Sequence, residues 1–128
     1  MPVEPRAHRH GPPGWPQEVP PPGAGEWELA ASAWLLDQAP PEYRGYPPLR
    51  HHPLLLAWLV GHHVDAQREA LRQAAASARV DLSAHLPPEV APRVFDVLER
   101  EDLRLRRVAR AVGLLQRSLR GEGAVPRL

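Results

Sequence analysis

The residue types that most often carry chemistry are histidine and the carboxylates, and here their spacing is uninformative for catalysis. Histidines stand side by side at His51–His52 and His62–His63. Metal-binding histidine pairs on a helix are spaced i and i+4, and no such pair occurs. Neighbouring helical side chains point about 100° apart, so a zinc or nickel site would need the two histidine pairs to converge from separate segments. We expect no metal site, with histidines on the helix surface as the simpler arrangement.

Other catalytic patterns are missing as well. The chain has no cysteine, which excludes disulfides, thiolate metal sites and cysteine catalysis. No Glu-x-x-His motif is present, so a diiron site on paired helices is not expected. Gly113 has no glycine-rich phosphate loop around it, and the serines fall inside predicted helices rather than at an exposed turn. The sequence therefore predicts a non-enzymatic protein with no catalytic residue and no cofactor.

Arginine is the one charged residue type with a marked distribution. From Leu103 to the C-terminus there are seven arginines and one acid, although the net charge of the chain is only +1. An arginine face on a helix is suited to binding phosphates. Lysine is absent from the chain, so arginine must also carry the solubilising positive charge, and a solvated face is the competing interpretation. The candidate anion or nucleic-acid contacts are Arg106, Arg110, Arg117 and Arg120.

The element that would position these side chains is a long helix between Pro87 and Gly121. Apolar residues recur there at alternating spacings of three and four, which is the pattern of a helix that packs against another helix. We call these positions the seam; its members are Ala91, Val94, Leu98, Glu101, Leu105, Val108, Val112, Leu115 and Leu119. Glu101 is its one polar member, and we expect it to specify register or to pair across the hairpin with Arg72 or Arg68.

Two further helices are predicted. One begins at Pro53 and continues to about Leu86, and the double proline at 87–88 turns it into the seam helix as an antiparallel hairpin. The other covers residues 25–38, with Gly25 as its N-cap and Trp27 and Trp34 on one apolar face. At 1.5 Å per residue the hairpin helices are about 45–50 Å long, and the first helix covers less than half of that length. The uncovered seam favours self-association.

The rest of the chain is proline-rich. Residues 1–24 are expected to form a flexible N-terminal segment, residues 25–121 the helical domain and residues 122–128 a C-terminal tail. For Trp15, folding back onto the domain and disorder are both open. Tyr43 and Tyr46 are the expected packing points of the rigid connector between the first two helices.

The segment Trp27–Pro53, with the sequence WELAASAWLLDQAPPEYRGYPPLRHHP, resembles small helical proteins encoded in high-GC actinobacterial genomes. The resemblance implies a bacterial, cytoplasmic origin and carries no activity. The sequence also contains no apolar run near the roughly 20 residues that span a bilayer, and no apolar stretch follows the N-terminal arginines as in a secretory signal. We expect a cytoplasmic protein without a membrane partner.

Together these patterns predict an all-α fold, in which a short N-terminal helix packs on a long antiparallel helical hairpin to give a three-helix or dimeric helical bundle. The expected function is a protein–protein interaction, scaffold or regulatory role, with a homodimer as the first partner and another protein as the second. Nucleic-acid binding and metal or small-molecule binding are the alternatives. The expected interaction anchors are Trp27, Trp34, Leu98, Leu105, Val112 and Leu115.

Overall fold

Five helical segments follow one another in residues 11–122, the part of the chain that the computed structural model describes. Helix α1 covers Trp27–Gln38, a 3-10 helix covers Pro41–Gly45, and the short α2 covers Pro47–His51. The two long helices are α3, Pro53–Leu82, and α4, Ala91–Leu119. The described residues contain no strand, which confirms the all-α class. Residues 1–10 and most of the C-terminal tail, 123–128, lie outside the described range.

The two long helices form the antiparallel hairpin that the sequence predicts, with a longer turn than expected. Helix α3 ends at Leu82 instead of Leu86, and α4 begins at Ala91 instead of Pro87. The intervening residues form successive turns in which the His85 N–H donates to the Leu82 carbonyl and the Val90 N–H donates to the Pro87 carbonyl. The double proline restricts only Leu86 and Pro87, and the helix ends lie further apart because these turn hydrogen bonds take the place of further helical ones.

The register of the hairpin is fixed along its whole length. At one end Gly61 lies beside Val112, with 3.5 Å between an ideal Cβ at Gly61 and Val112 Cγ1. Near the turn the Arg79 guanidinium lies 5.3 Å from the centre of the Phe95 ring. Each level of α3 therefore has a defined neighbour on α4.

Helix α1 packs mainly on α3 and to a smaller extent on α4. Trp27, Ala31 and Leu35 are buried, and Trp34 is half-buried against the same cluster, so the predicted apolar face is confirmed. The helix starts two residues later than expected. Glu26, not Gly25, precedes it and adopts a left-handed conformation with φ of 59°, which lets the chain turn sharply from the proline-rich segment into α1.

The proline-rich segment, as far as it is described, packs on the helices. We call residues 11–24 the strap. Trp15 and Val19 are buried in the core, and the Trp15 ring lies 5.8 Å from that of Trp27. The Trp15 indole N–H donates to the Val19 carbonyl at 3.0 Å and to the Pro20 carbonyl at 3.1 Å, so its one polar group is satisfied despite burial. For residues 11–24, the expectation of a flexible segment is therefore corrected.

The connector between α1 and α3 also packs differently from the prediction. Tyr43 is half-buried against the core, whereas Tyr46 is exposed. Leu49 of α2 is buried instead. Helix α2 begins with two prolines, and Leu49 is its apolar side chain nearest the cluster, so the short helix uses this leucine rather than Tyr46 to attach the connector.

The hydrophobic core lies at one end of the hairpin. We call this end the base half: residues 53–66 of α3 and 105–119 of α4, with the strap, α1 and α2 packed on them. The distal half comprises residues 67–104. Seam residues Leu105, Val112 and Leu115 are almost fully buried in the base half, whereas Leu98 in the distal half is only half-buried. The described distal half has a single buried side chain, Ala78.

Candidate interaction surface

The distal half presents apolar side chains to solvent because nothing in the described chain forms a third layer over it. Val80 is 83% exposed and Val97 is 64% exposed, and Leu82 is also exposed. Single exposed apolar residues are common on protein surfaces, but Leu82 also lines an apolar cleft. This cleft has a volume of about 320 Å³ and lies beside the turn, between Leu82 and Leu86 on one side and Phe95 on the other.

Two faces of the hairpin can be distinguished. In the base half, the strap and α1 reach α4 along one side only, where Trp15 and Trp34 line a cleft with Arg107, Val108 and Ala111. The opposite side stays uncovered from the base to the turn. We call this uncovered side the open face. Three clefts follow one another along it, of about 210, 470 and 320 Å³.

The open face consists of one regular row of side chains from each helix. Both rows repeat at alternating spacings of three and four, so each is a straight stripe on its helix. The α3 row is Trp58, Gly61, Asp65, Arg68, Arg72, Ala75 and Arg79, and the α4 row is Phe95, Glu99, Asp102, Arg106, Ala109, Gly113 and Gln116. These rows flank the seam and are the positions that a second pair of helices would contact in a four-helix bundle.

The two rows carry opposite charge over the middle of the open face. There α3 contributes Arg68 and Arg72, whereas α4 contributes Glu99, Asp102 and Arg106, so the α3 row is net positive and the α4 row net negative in this cleft of about 470 Å³. The Nε of Arg68 is enclosed and has no hydrogen-bond partner among the described residues. An unsatisfied donor of this kind favours an acceptor brought by whatever covers the groove.

The charged groups of this region form ion pairs within each helix rather than across the hairpin. Arg72 binds Glu69 at 2.7 Å, and these hydrogen bonds lower the pKa of the Glu69 carboxyl. Glu101 binds Arg104 at 2.6 Å, and this contact lowers the pKa of the Glu101 carboxyl. The expected pairing of Glu101 with Arg72 or Arg68 is therefore wrong. The two residues of each ion pair stand one turn apart on the same helix, so neither pair requires a side chain from the other helix.

The four candidate anion contacts are not equivalent. Arg106 binds Asp102 on its own helix at 3.0 Å. Arg110 donates to the Pro13 carbonyl at 3.4 Å and lies against Gly14, so it holds the strap. Arg117 and Arg120 are exposed and make no ion pair with other residues in the range 11–122. The four do not form one uniform phosphate-binding face, and nucleic-acid binding stays a prediction.

The paired histidines lie against aromatic rings. His62 meets Trp58 edge to face, with ring centres 4.8 Å apart, and the His63 ring is 6.3 Å from that of Tyr43. These two adjacent histidines therefore contact different neighbours, as expected for helical side chains that point about 100° apart. Residues 11–122 contain no group of three or more His, Asp or Glu side chains placed to hold a metal ion.

The predicted anchors divide between the two halves. The structure brings Trp27, Leu105, Val112 and Leu115 into the buried core, with Trp34 packed against it. Leu98 is separate and lines the distal clefts. The anchors that sequence analysis missed include Trp15, Val19 and Leu49. Trp15 and Val19 are the large apolar side chains in a segment that otherwise consists of proline, glycine, alanine and polar residues. Their apolar character was the feature of the sequence that could have indicated burial.

Comparison with known proteins adds no relative: no family model matches the chain, and neither curated proteins nor solved structures yield a match. Among the described helices, none combines the length and the apolar character needed to cross a bilayer. The surface geometry is therefore the basis for any statement about function.

Proposed function

We propose that this chain is a non-enzymatic helical interaction protein that self-associates through the uncovered surface of its hairpin. The observation that carries the proposal is the unequal covering of the two halves. The seam continues with the same spacing from Leu115 to Val94, yet burial is nearly complete at Leu115 and only partial at Val94. An apolar stripe without a third layer is stabilised when another helix covers it.

The size of the hairpin supports a second copy as the covering partner. Helices of about 30 residues are about 45 Å long, and two of them side by side present roughly 800 Å² to a partner, the area of a standard interface. A second hairpin has the same length and the complementary flat shape. A bacterial cytoplasmic setting, based on the resemblance of segment Trp27–Pro53, belongs to the same proposal.

Light scattering of the purified protein across a dilution series tests self-association. The expected result is a mass of twice 14.3 kDa that falls to that of one chain on dilution. The mass of one chain at every concentration would contradict the proposal.

Two leucine variants locate the surface. Leu82 is exposed beside the distal cleft, and Leu29 is exposed on α1 in the base half. Leu82→Glu places a charge where the partner would bury apolar surface, so it should weaken association. Leu29→Glu is the matched control and should leave the concentration dependence unchanged. Equal effects of the two variants would place the interface elsewhere.

A further inference from the structure

The open face is self-complementary in one specific arrangement, and this identifies the partner and its orientation. We infer that two copies pair through their open faces around a two-fold axis that runs along the hairpin, so that α3 of each copy lies over α4 of the other and both turns point the same way. This inference rests on the proposed self-association and adds its geometry.

The argument begins with the register of the hairpin. Arg79 is level with Phe95, and Gly61 is level with Val112. Here the level of a residue is its position along the long axis of the hairpin. A two-fold axis parallel to the helices exchanges the left and right sides but leaves every residue at the same level. Each residue of the α3 row therefore meets the α4 residues of the second copy that stand at its own level.

Most of the charges match under this operation, because in the middle of the open face the α3 row is net positive and the α4 row net negative. Arg72 shares its level with Glu99 and Asp102, which line the same cleft, so in the pair it meets these two acids of the second copy. Arg106 lines the same cleft and comes level with Arg68, which is a like-charge contact, but Asp65, one turn nearer the base, offers Arg106 an opposite charge. Because the axis repeats every contact, each pair of opposite charges occurs twice. Opposite charges at matched levels favour one register and one orientation over others.

The uncharged members of the rows match as well. At the distal end Arg79 of one copy comes to lie over the Phe95 ring of the other, an arrangement it already has within its own chain at 5.3 Å. At the base end the half-exposed Trp58 comes level with Gln116 and lies one turn from the small Gly113. Among the described residues, no other side chain comes within 4 Å of an ideal Cβ at Gly113, so this glycine leaves open space that an indole ring can enter.

A two-fold axis perpendicular to the helices is less favourable. With the helices fully overlapped it lays α3 on α3 and α4 on α4, so Arg72 comes opposite Asp65 but Arg68 meets its own copy. Glu99 then comes opposite Ala109 and Gly113, neither of which carries a charge. It also places each distal half over a base half that already has a third layer on its other side. The lengthwise axis brings the two distal halves together, where both lack cover.

Disulfide trapping tests the orientation directly, because the natural chain has no cysteine. His62 and Ala109 line the same cleft at the base end of the open face. If α3 lies over α4 of the second copy, a mixture of His62→Cys and Ala109→Cys chains of different tag length should oxidise to a mixed disulfide. Ala66→Cys is the control, because Ala66 is exposed one turn further along α3 and, unlike His62, lines none of the three open-face clefts.

Charge reversal in trans tests the pairing itself. Arg72→Glu faces acids of the second copy and should weaken self-association roughly tenfold or more. The double variant Glu99→Arg with Asp102→Arg should do the same alone. Mixed together, the two chains restore opposite charges at both copies of the contact, so the mixture should recover wild-type affinity as a heterodimer. Arg104→Glu, at a residue that lines none of the open-face clefts, should leave affinity unchanged.

The outcomes separate the two levels of the proposal. A wild-type chain that is monomeric at every concentration overturns self-association and this inference together. A wild-type dimer that gives no mixed disulfide, and whose charge-reversed chains show no recovery on mixing, overturns only the orientation. Circular dichroism of each variant confirms that the helices are intact, and the cysteine experiment leaves all the paired charges in place.

Discussion

The base half and the distal half of the hairpin use the same seam and differ in what covers it. In the base half the strap, α1 and α2 supply a third layer, and Leu56, Val60 and Leu115 are fully buried. In the distal half the same spacing continues, but Leu98 and Val94 face clefts. Helix periodicity therefore determines which side of a helix is apolar, whereas the length of the covering elements determines how much of that side is buried.

The largest expected difference between the halves is in the cost of truncating an apolar side chain of the hairpin. Leu115→Ala creates a cavity in a closed core and should lower the free energy of unfolding by about 3–5 kcal/mol. Leu82→Ala removes a side chain that is 38% exposed and should cost less than about 1 kcal/mol. Urea denaturation at protein concentrations where the chain is monomeric measures both. Similar losses for the two variants would mean that the distal half is as well packed as the base.

The strap gives the next effect, because it is the part of the third layer that the sequence left undecided. Trp15→Ala removes a buried ring from the contact with Trp27 and should destabilise the fold by about 3 kcal/mol. Trp58→Ala is the comparison, since Trp58 is 46% exposed on the open face and should have a small effect on the monomer. A strap that merely rests on the surface would make the Trp15 variant as mild as the Trp58 variant.

Two glycines of the strap sharpen this test. Gly14 and Gly23 both have positive φ, of 91° and 92°, so alanine is strained at either position by about 1 kcal/mol. Only at Gly14 would the added Cβ overlap the Arg110 side chain. Gly14→Ala should therefore destabilise more than Gly23→Ala in the same denaturation assay. Equal losses would show that Arg110 moves aside at no cost.

The smallest effect concerns the ion pair of Glu101 and Arg104 in the distal half. Its hydrogen bonds lower the pKa of the Glu101 carboxyl, so the stabilisation is present above the unfolded-state pKa and is lost as the pH falls through the lower folded-state pKa. Both side chains are more than a third exposed, and the contribution is a few tenths of a kcal/mol at most. The difference in stability between wild type and Glu101→Gln should shrink on acidification. A difference that persists in acid would point to a packing role for Glu101.

Much of the fold follows from the sequence for identifiable reasons. The seam spacing and the prolines at 53 and 87–88 predict the hairpin, and the shortness of α1 predicts incomplete cover. The predicted ends of α3 and α4 near the turn were wrong because residues 83–90 form turn hydrogen bonds instead of extending either helix. Burial of Trp15 was left open because a proline-rich segment has no periodicity to indicate a face.

The surface was harder to predict than the core. The two rows of the open face, from Trp58 to Arg79 on α3 and from Phe95 to Gln116 on α4, are regularly spaced in the sequence. The side chains on the other flank of the seam are spaced just as regularly, so spacing alone does not identify the open face. Only the positions of α1 and the strap distinguish the covered flank from the open one. The cross-hairpin pairing of Glu101 was wrong because a partner on the same helix, Arg104, is nearer. Self-association and its geometry remain predictions.

The most direct test of the central claim is amide hydrogen exchange, measured by mass spectrometry at several protein concentrations. At low concentration, amides of the distal half, residues 67–104, should exchange much faster than those of α1 and of residues 105–119, because local opening is easier where few side chains are buried. At high concentration the distal half should become protected while the base half changes little. Uniformly slow exchange at every concentration, or protection confined to the base half, would contradict the account.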